Sequence, residues 1–139
     1  MKRNGDGNGI YERVFQFAVR ILRMDRAVAK DRRINRNAMN QLLRSSSGIG
    51  SNLEEARGAQ SRADFHAKVR ISLKEARESH YWLRLLRDSE CVQAARIAPL
   101  LQEANEIVAI LTTIAKKTNP HNPTPPSNTP LAKTPSTAS

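Results

Sequence analysis

The chain has 139 residues, enough for one domain with a modest core and too few for two large ones. Lys plus Arg number 23 against 13 Asp plus Glu, a formal net charge of +10, which favours polyanions or acidic protein patches as partners and says nothing about fold. The one cysteine, Cys91, excludes an intramolecular disulfide framework and a cysteine-based zinc site. No long apolar run reads as a membrane span, and the polar opening lacks the apolar centre of a secretory signal, so the cytoplasm is the expected location.

Residues 1–9 hold three glycines and two asparagines and read as a flexible leader before a domain over residues 10–118. From Ile10 the pattern becomes helical. Tyr11, Val14, Phe15, Ala18, Val19, Ile21 and Leu22 form a wide apolar band over residues 10–28, with Arg13, Gln16, Arg20 and Arg23 largely outside it. This band brings Tyr11, Phe15 and Phe17 into the core or onto its edge.

Arg20, Arg23, Arg26, Lys30, Arg32, Arg33 and Arg36 follow in close succession, opposed only by Asp25 and Asp31. One reading is a solvated connection. The other is a contact surface for phosphates or an acidic partner, since arginine presents a planar donor fork to such groups, and Arg44 and Arg62 are candidates to join it. No aromatic residue is interleaved with these charges, which weighs against a base-stacking site here.

A second helix starts near Asn35 or Asn37, either a suitable N-cap, and runs to Arg57. Leu42, Ser46, Ile49, Leu53 and Ala56 share one stripe. Ser45, Ser46, Ser47, Gly48 and Gly50 make its surroundings small, suited to close approach by another backbone. Each glycine costs about 1 kcal/mol of helix propensity relative to alanine, yet a break at SSSGIG would put Leu53 and Ala56 out of phase with Leu42 and Ile49. A continuous helix is therefore expected, ending at Gly58 with a positive φ.

Ser61 is a suitable N-cap for a third helix over residues 62–87, with Asp64 completing an approximate capping box. Phe65, Val69, Ser72, Ala76, Ser79, Leu83 and Leu86 form its seam, and Leu73, His80 and Trp82 flank it. The short link predicts that the second and third helices lie antiparallel, with Ser72, Ala76 and Ser79 facing the small residues of the second. Residues 88–98 connect to the last helix, where Pro99 marks a restart. CVQAARIA is able to supply an extra turn or two. Leu100, Leu101, Ala104, Ile107, Val108, Leu111, Ile114 and Ala115 continue the helical period to Lys117. Residues 119–139 hold six of the seven prolines and read as a disordered tail.

Few residues suggest chemistry. Glu54, Glu55, Glu75, Glu78, Glu103 and Glu106 lack the paired Glu-x-x-His units of a carboxylate-bridged metal centre, and are expected to pair with arginines such as Arg44, Arg70 or Arg77. His66 and His80 stand about 21 Å apart at 1.5 Å per residue, too far for one metal. The serines of SSSGIG lack a recognisable base and oxyanion site. Gly48 and Gly50 lack the strand and third glycine of a phosphate-binding loop. No catalytic residue, metal or cofactor is expected.

QLLRSSSGIGSNLEEARGAQSRADFHAKVRISLKEARESHYWLRLL, residues 41–86, closely resembles the core of the 23S rRNA-intervening-sequence proteins, and PLLQEANEIVAILTTIAK extends the resemblance along the last helix. With the opening from Tyr11 to Phe17, it covers residues 11–117. The family motif falls on Ser46, Ile49, Asn52, Glu54, Glu55, Gly58, Ser61, Phe65, Ala76, Glu78, Leu83 and Leu86. Asn52 is the unusual member, placed either to bond a neighbouring helix or chain or to make an ordinary buried polar contact.

The resemblance implies an all-α, up-and-down antiparallel four-helix bundle that assembles with itself, typically as a homopentameric ring. Some relatives are encoded within insertions in large-subunit ribosomal RNA genes, a link to RNA. A more distant similarity is to the accessory protein of diversity-generating retroelements, a basic pentameric barrel that binds reverse transcriptase and nucleic acid. Two functions are therefore expected to compete: a non-catalytic assembly binding RNA or DNA through its basic surface, or a scaffold for a protein such as a reverse transcriptase. No membrane partner is expected.

Overall fold

The computed structural model describes residues 9–121, so residues 1–8 of the expected leader and 122–139 of the expected tail lie outside it. Four helices follow in order: α1, Gly9–Ala27; α2, Arg36–Arg57; α3, Arg62–Asp88; and α4, Ala94–Thr118. Each helix packs on the next and α1 closes on α4, while the diagonal pairs stay apart. This is an all-α, up-and-down antiparallel four-helix bundle.

Helix α2 runs unbroken through SSSGIG, capped by the Asn35 side chain, which accepts from the Ala38 N–H. Its small residues meet α3. Ser45 and Ser79 share a buried hydroxyl hydrogen bond of 2.9 Å, and the Ser72 hydroxyl donates across the seam to the Ile49 carbonyl at 2.7 Å. Ser46 instead donates within α2 to the Leu43 carbonyl. Every buried serine hydroxyl in the seam therefore has a partner, as burial requires. Gly48 makes room for a side chain rather than a backbone, since a Cβ there would lie 3.0 Å from the Glu75 carboxyl carbon. Gly50 faces α1 instead, beside Val14.

The core fills the space between these contacts. Phe17 and Ile21 of α1, Met39, Leu42 and Ile49 of α2, Val69, Ala76 and Leu83 of α3, and Ile97, Ile107 and Leu111 of α4 are nearly inaccessible to water. The apolar band predicted for α1 is too broad, because Phe15 and Leu22 are 59% and 52% exposed. Val14, Phe17, Ile21 and Met24 form the buried stripe, and Phe15 and Leu22 lie a third of a turn or more around the helix from its centre, at about 100° per residue.

Three helix ends depart from expectation. Gly58 has φ −94°, not a positive value. The last turn of α2 tightens, with the Gly58 N–H bonding the Glu55 carbonyl and the Ala59 N–H the Ala56 carbonyl, both at 3.0 Å, and such closure needs no left-handed residue. The left-handed position occurs after α3, at Glu90 with φ 63°. There the Cys91 N–H reaches the Leu86 carbonyl and the Glu90 N–H the Arg87 carbonyl, a Schellman closure with glutamate where glycine is usual. Finally, Pro99 lies inside α4. The carbonyl deprived of its donor belongs to Ala95, and both residues are exposed, so water can serve it.

At the start of α3 the expected cap forms. The Ser61 hydroxyl accepts from the Asp64 N–H, while the Asp64 carboxylate reaches back to the Gln60 N–H at 3.3 Å. Helix α4 corrects the reading that no segment is apolar enough to span a membrane. By length and composition it is, with a mean hydropathy of 1.2, but Ile97, Leu100, Leu101, Ala104, Ile107 and Leu111 face the bundle core.

Two substitutions test these features. Ala76→Leu overfills the α2–α3 seam and should lower stability by about 1 to 3 kcal/mol in urea denaturation. Glu90→Gly should raise it by up to about 1 kcal/mol by relieving the left-handed side-chain clash.

Candidate nucleic-acid interface

The link between α1 and α2 is a compact double turn, closed by the Asp31 N–H on the Val28 carbonyl and the Ile34 N–H on the Asp31 carbonyl. Val28 and Ile34 tuck against the core. Asp31 also accepts from the Arg33 backbone N–H at 2.9 Å and from the Arg33 guanidinium at 3.1 and 2.8 Å. These bonds hold the Asp31 pKa at about 2, with the Arg33 side chain the larger cause and its backbone N–H the next. Arg36 pairs with Asp25 across the same link.

Local carboxylates therefore engage Arg33 and Arg36, whereas Arg20, Arg23, Arg26, Lys30 and Arg32 form no ion pair among the described residues. Arg23, Arg26, Lys30 and Arg32 are exposed, and Arg20 is half-buried. Arg20 lies two helical turns after Arg13, on the flank where Arg13 meets Glu103 at 2.8 Å and Glu106 at 2.6 Å of α4. Beside the link opens a groove of about 920 Å³, lined by Asp31, Arg33, Arg87, Asp88, Glu90 and Arg96 among others. Arg87 is paired with Asp88 there at 2.7 Å.

The other two predicted contact residues are elsewhere. Arg44 lies on the α2–α3 face, bridging Glu75 at 3.2 Å and Glu78. Arg62 sits at the opposite end of the bundle, donating to the Thr118 carbonyl at 3.1 Å and the Lys117 carbonyl at 2.7 Å. It caps carbonyls that α4 leaves without helical donors. The nine predicted residues thus divide into one group along the end of α1, the link and the start of α2, one ion-pair cluster and one helix cap.

Of the carboxylates expected to meet arginine, Glu75, Glu78, Glu103, Glu106 and Glu54 do so, through Arg44, Arg13 and Arg57 and not through Arg70 or Arg77. Trp82 joins the Arg44 cluster, its indole N–H donating to Glu78 at 3.0 Å. Arg44 and then Trp82 push the Glu78 pKa down. Asn52, half-buried, donates at 2.9 Å to the Gly48 carbonyl of its own helix rather than to a neighbouring one. Glu54 lies 3.8 Å from Arg57, and Glu55 pairs with Lys68 of α3 at 2.6 Å. Phe65 is half-buried against the core, with Leu83 and Leu86 fully within it.

The matching family profile is that of the 23S rRNA-intervening sequence proteins, over residues 7–113. The chain belongs to this family. A crystal structure of a protein with unknown function from the S23 ribosomal protein family of Bacteroides thetaiotaomicron is 36% identical to it. That match covers 77% of this chain and 98% of the other, at a TM-score of 0.72. No curated protein matches. Family membership and the four packed helices agree on the fold.

The sequence also missed a second cationic surface, on α3. Arg70, Lys74, Arg77 and Arg84 are exposed, and the charge of Arg84 reaches His80. Burial first, then Arg84 and Arg87, push the His80 pKa below its ordinary 6.5. The folded chain thus takes up this proton less readily than the unfolded one. Stability should hold above about pH 6.5 and decline as the pH falls until folded His80 is itself protonated, a window above most carboxylate titration. His80→Gln should flatten that decline in urea midpoints measured between about pH 5 and 7.5.

Proposed function

We propose that this chain is a non-catalytic, self-assembling nucleic-acid-binding protein whose basic surface from α1 to the start of α2 contacts phosphates. The observation that carries this reading is selective neutralisation. Asp25 and Asp31 engage Arg36 and Arg33, which leaves Arg23, Arg26, Lys30 and Arg32 exposed and without an ion pair among the described residues. Arginine and lysine in such a setting bind the backbone of a nucleic acid largely without regard to sequence. Repetition around a homo-oligomeric ring, a pentamer by family resemblance, would turn a weak site into a strong one.

A second reading is a scaffold for another protein, a reverse transcriptase being the partner suggested by the more distant resemblance. It is favoured by the exposure of Phe15 and Leu22 on α1, since large apolar side chains left in water mark contact surfaces when they cluster. The same residues serve equally for contact between copies of the chain.

Light scattering after size exclusion, with nuclease-treated protein and added total RNA, separates the readings. The nucleic-acid reading expects an oligomer that grows on RNA addition and reverts at high salt. An unchanged oligomer would favour a protein partner, and a strict monomer would remove the ring. Arg23→Glu with Arg26→Glu should weaken binding to structured RNA. It should also reduce the slope of log affinity against log salt by roughly one unit or more, at about 0.7 to 0.9 for each phosphate that is no longer neutralised.

A further inference from the structure

The basic stretch from Arg20 to Arg36 has no aromatic residue among its cations, whereas α3 has one. Arg70, Lys74, Arg77, Tyr81 and Arg84 recur at intervals of four, three, four and three residues, the spacing that lines up side chains along one face of a helix. All five are exposed, and the four cations form no ion pair among the described residues. At 1.5 Å per residue the row is about 21 Å long. Helices α1 and α3 lie diagonally across the bundle with their backbones apart, so this row is separate from the Arg23–Arg26 surface.

Tyr81 interrupts the row with an aromatic ring that is 55% exposed. The ring is braced rather than loose. It meets Trp82 edge to face, with centroids 5.2 Å apart and planes at 78°, a favoured aromatic geometry. Trp82 is in turn held by its hydrogen bond to Glu78, and Glu78 by Arg44. The cluster on the α2–α3 face thus steadies Tyr81 on one side, while more than half of the residue stays exposed to solvent. A fixed, solvent-facing ring within a run of cations is the arrangement on which an unpaired base stacks while neighbouring phosphates are neutralised.

We propose that the outward face of α3 is a binding track for single-stranded nucleic acid, with a base stacked on Tyr81 and phosphates held by Arg70, Lys74, Arg77 and Arg84. The proposal rests on the nucleic-acid reading of the protein but not on the α1 surface. A duplex keeps its bases stacked on each other and gains nothing from Tyr81, so the track discriminates strands by their unpaired bases. Trp82, half-buried and engaged with Glu78, acts as a positioning residue.

The test uses the full chain and a labelled 12-residue oligouridine, read by fluorescence anisotropy at low salt, beside an RNA duplex of the same length and the matching deoxy-oligomer. Tyr81→Ala should weaken single-strand binding by about 5- to 150-fold, the range for removal of one base stack. Tyr81→Phe, which keeps the ring, should stay within about twofold of the parent, and duplex binding should be indifferent to both. Lys74→Gln with Arg77→Gln should weaken the single strand and flatten its salt dependence. Binding of RNA alone, or of RNA and DNA alike, supports the track and identifies its source.

Equal affinity of the Tyr81→Ala variant and the parent overturns the proposal. So does an equal loss with Tyr81→Phe, or a change of particle size in light scattering without a change of affinity, which would make Tyr81 a contact between copies. Ultraviolet crosslinking of the unaltered chain to the same oligomer covers a variant that fails to fold. An adduct on the peptide containing Tyr81 supports the track, and adducts confined to residues 20–36 overturn it. Loss of binding only on Arg23→Glu with Arg26→Glu removes the α3 track and leaves the broader reading standing, whereas no binding of any oligonucleotide removes both.

Discussion

The bundle depends on how closely α2 can approach α3. Two hydroxyl contacts set that distance, Ser45 with Ser79 and Ser72 with the Ile49 carbonyl, and neither could form with bulkier residues between the axes. Each satisfied hydrogen bond contributes only about 0.5 to 1.5 kcal/mol net, so these bonds alone do not offset the poor helix propensity of SSSGIG. What does is the apolar packing they permit. Met39, Leu42, Ile49, Val69, Ala76 and Leu83 are almost wholly shielded from water, at roughly 25 cal/mol for each Å² of apolar surface removed.

The seam also organises the surface above it. Gly48 leaves space for the Glu75 side chain, and Glu75 together with Glu78 draws in Arg44. Glu78 then fixes Trp82, and Trp82 meets the ring of Tyr81. A missing Cβ on α2 is thereby connected, through four side chains, to an exposed aromatic on α3. Charge follows a similar logic. The thirteen acidic residues are not distributed evenly over the cations, and those on α4 and along the α2–α3 face engage Arg13 and Arg44. Exposed ion pairs of this kind add little stability, but they decide where the positive excess is left uncompensated.

Much of this was legible in the residues because it is local or periodic. The continuity of α2 followed from phase, since Leu42, Ile49, Leu53 and Ala56 need one helix to share a face. The caps at Asn35 and Ser61 followed from side-chain chemistry. The errors arose where neighbouring elements decide. Phe15 and Leu22 are as apolar as Phe17 and Ile21, and only the positions of α2 and α4 around α1 determine which pair is covered. Gly58 looked like the left-handed stop, yet α2 closes by a tighter turn and the left-handed residue is Glu90, where the α3–α4 connection demands it despite the side chain. In the basic stretch, sequence proximity grouped Arg44 and Arg62 with Arg23 and Arg26, although antiparallel packing sends them to different faces and ends.

Sequence by itself determined the number of helices, their approximate limits, the small-residue seam, the net positive charge and the family to which the chain belongs, because each is written in composition, period or motif. Tertiary structure decided which apolar residues remain in water, which arginines are neutralised and which aromatic is braced and exposed. Those outcomes depend on side chains distant in sequence, such as Arg13 beside Glu103 or Arg44 beside Glu78, and on the order in which four helices pack around one core. Helical periodicity fixes the faces of each helix, but only packing assigns a neighbour to each face.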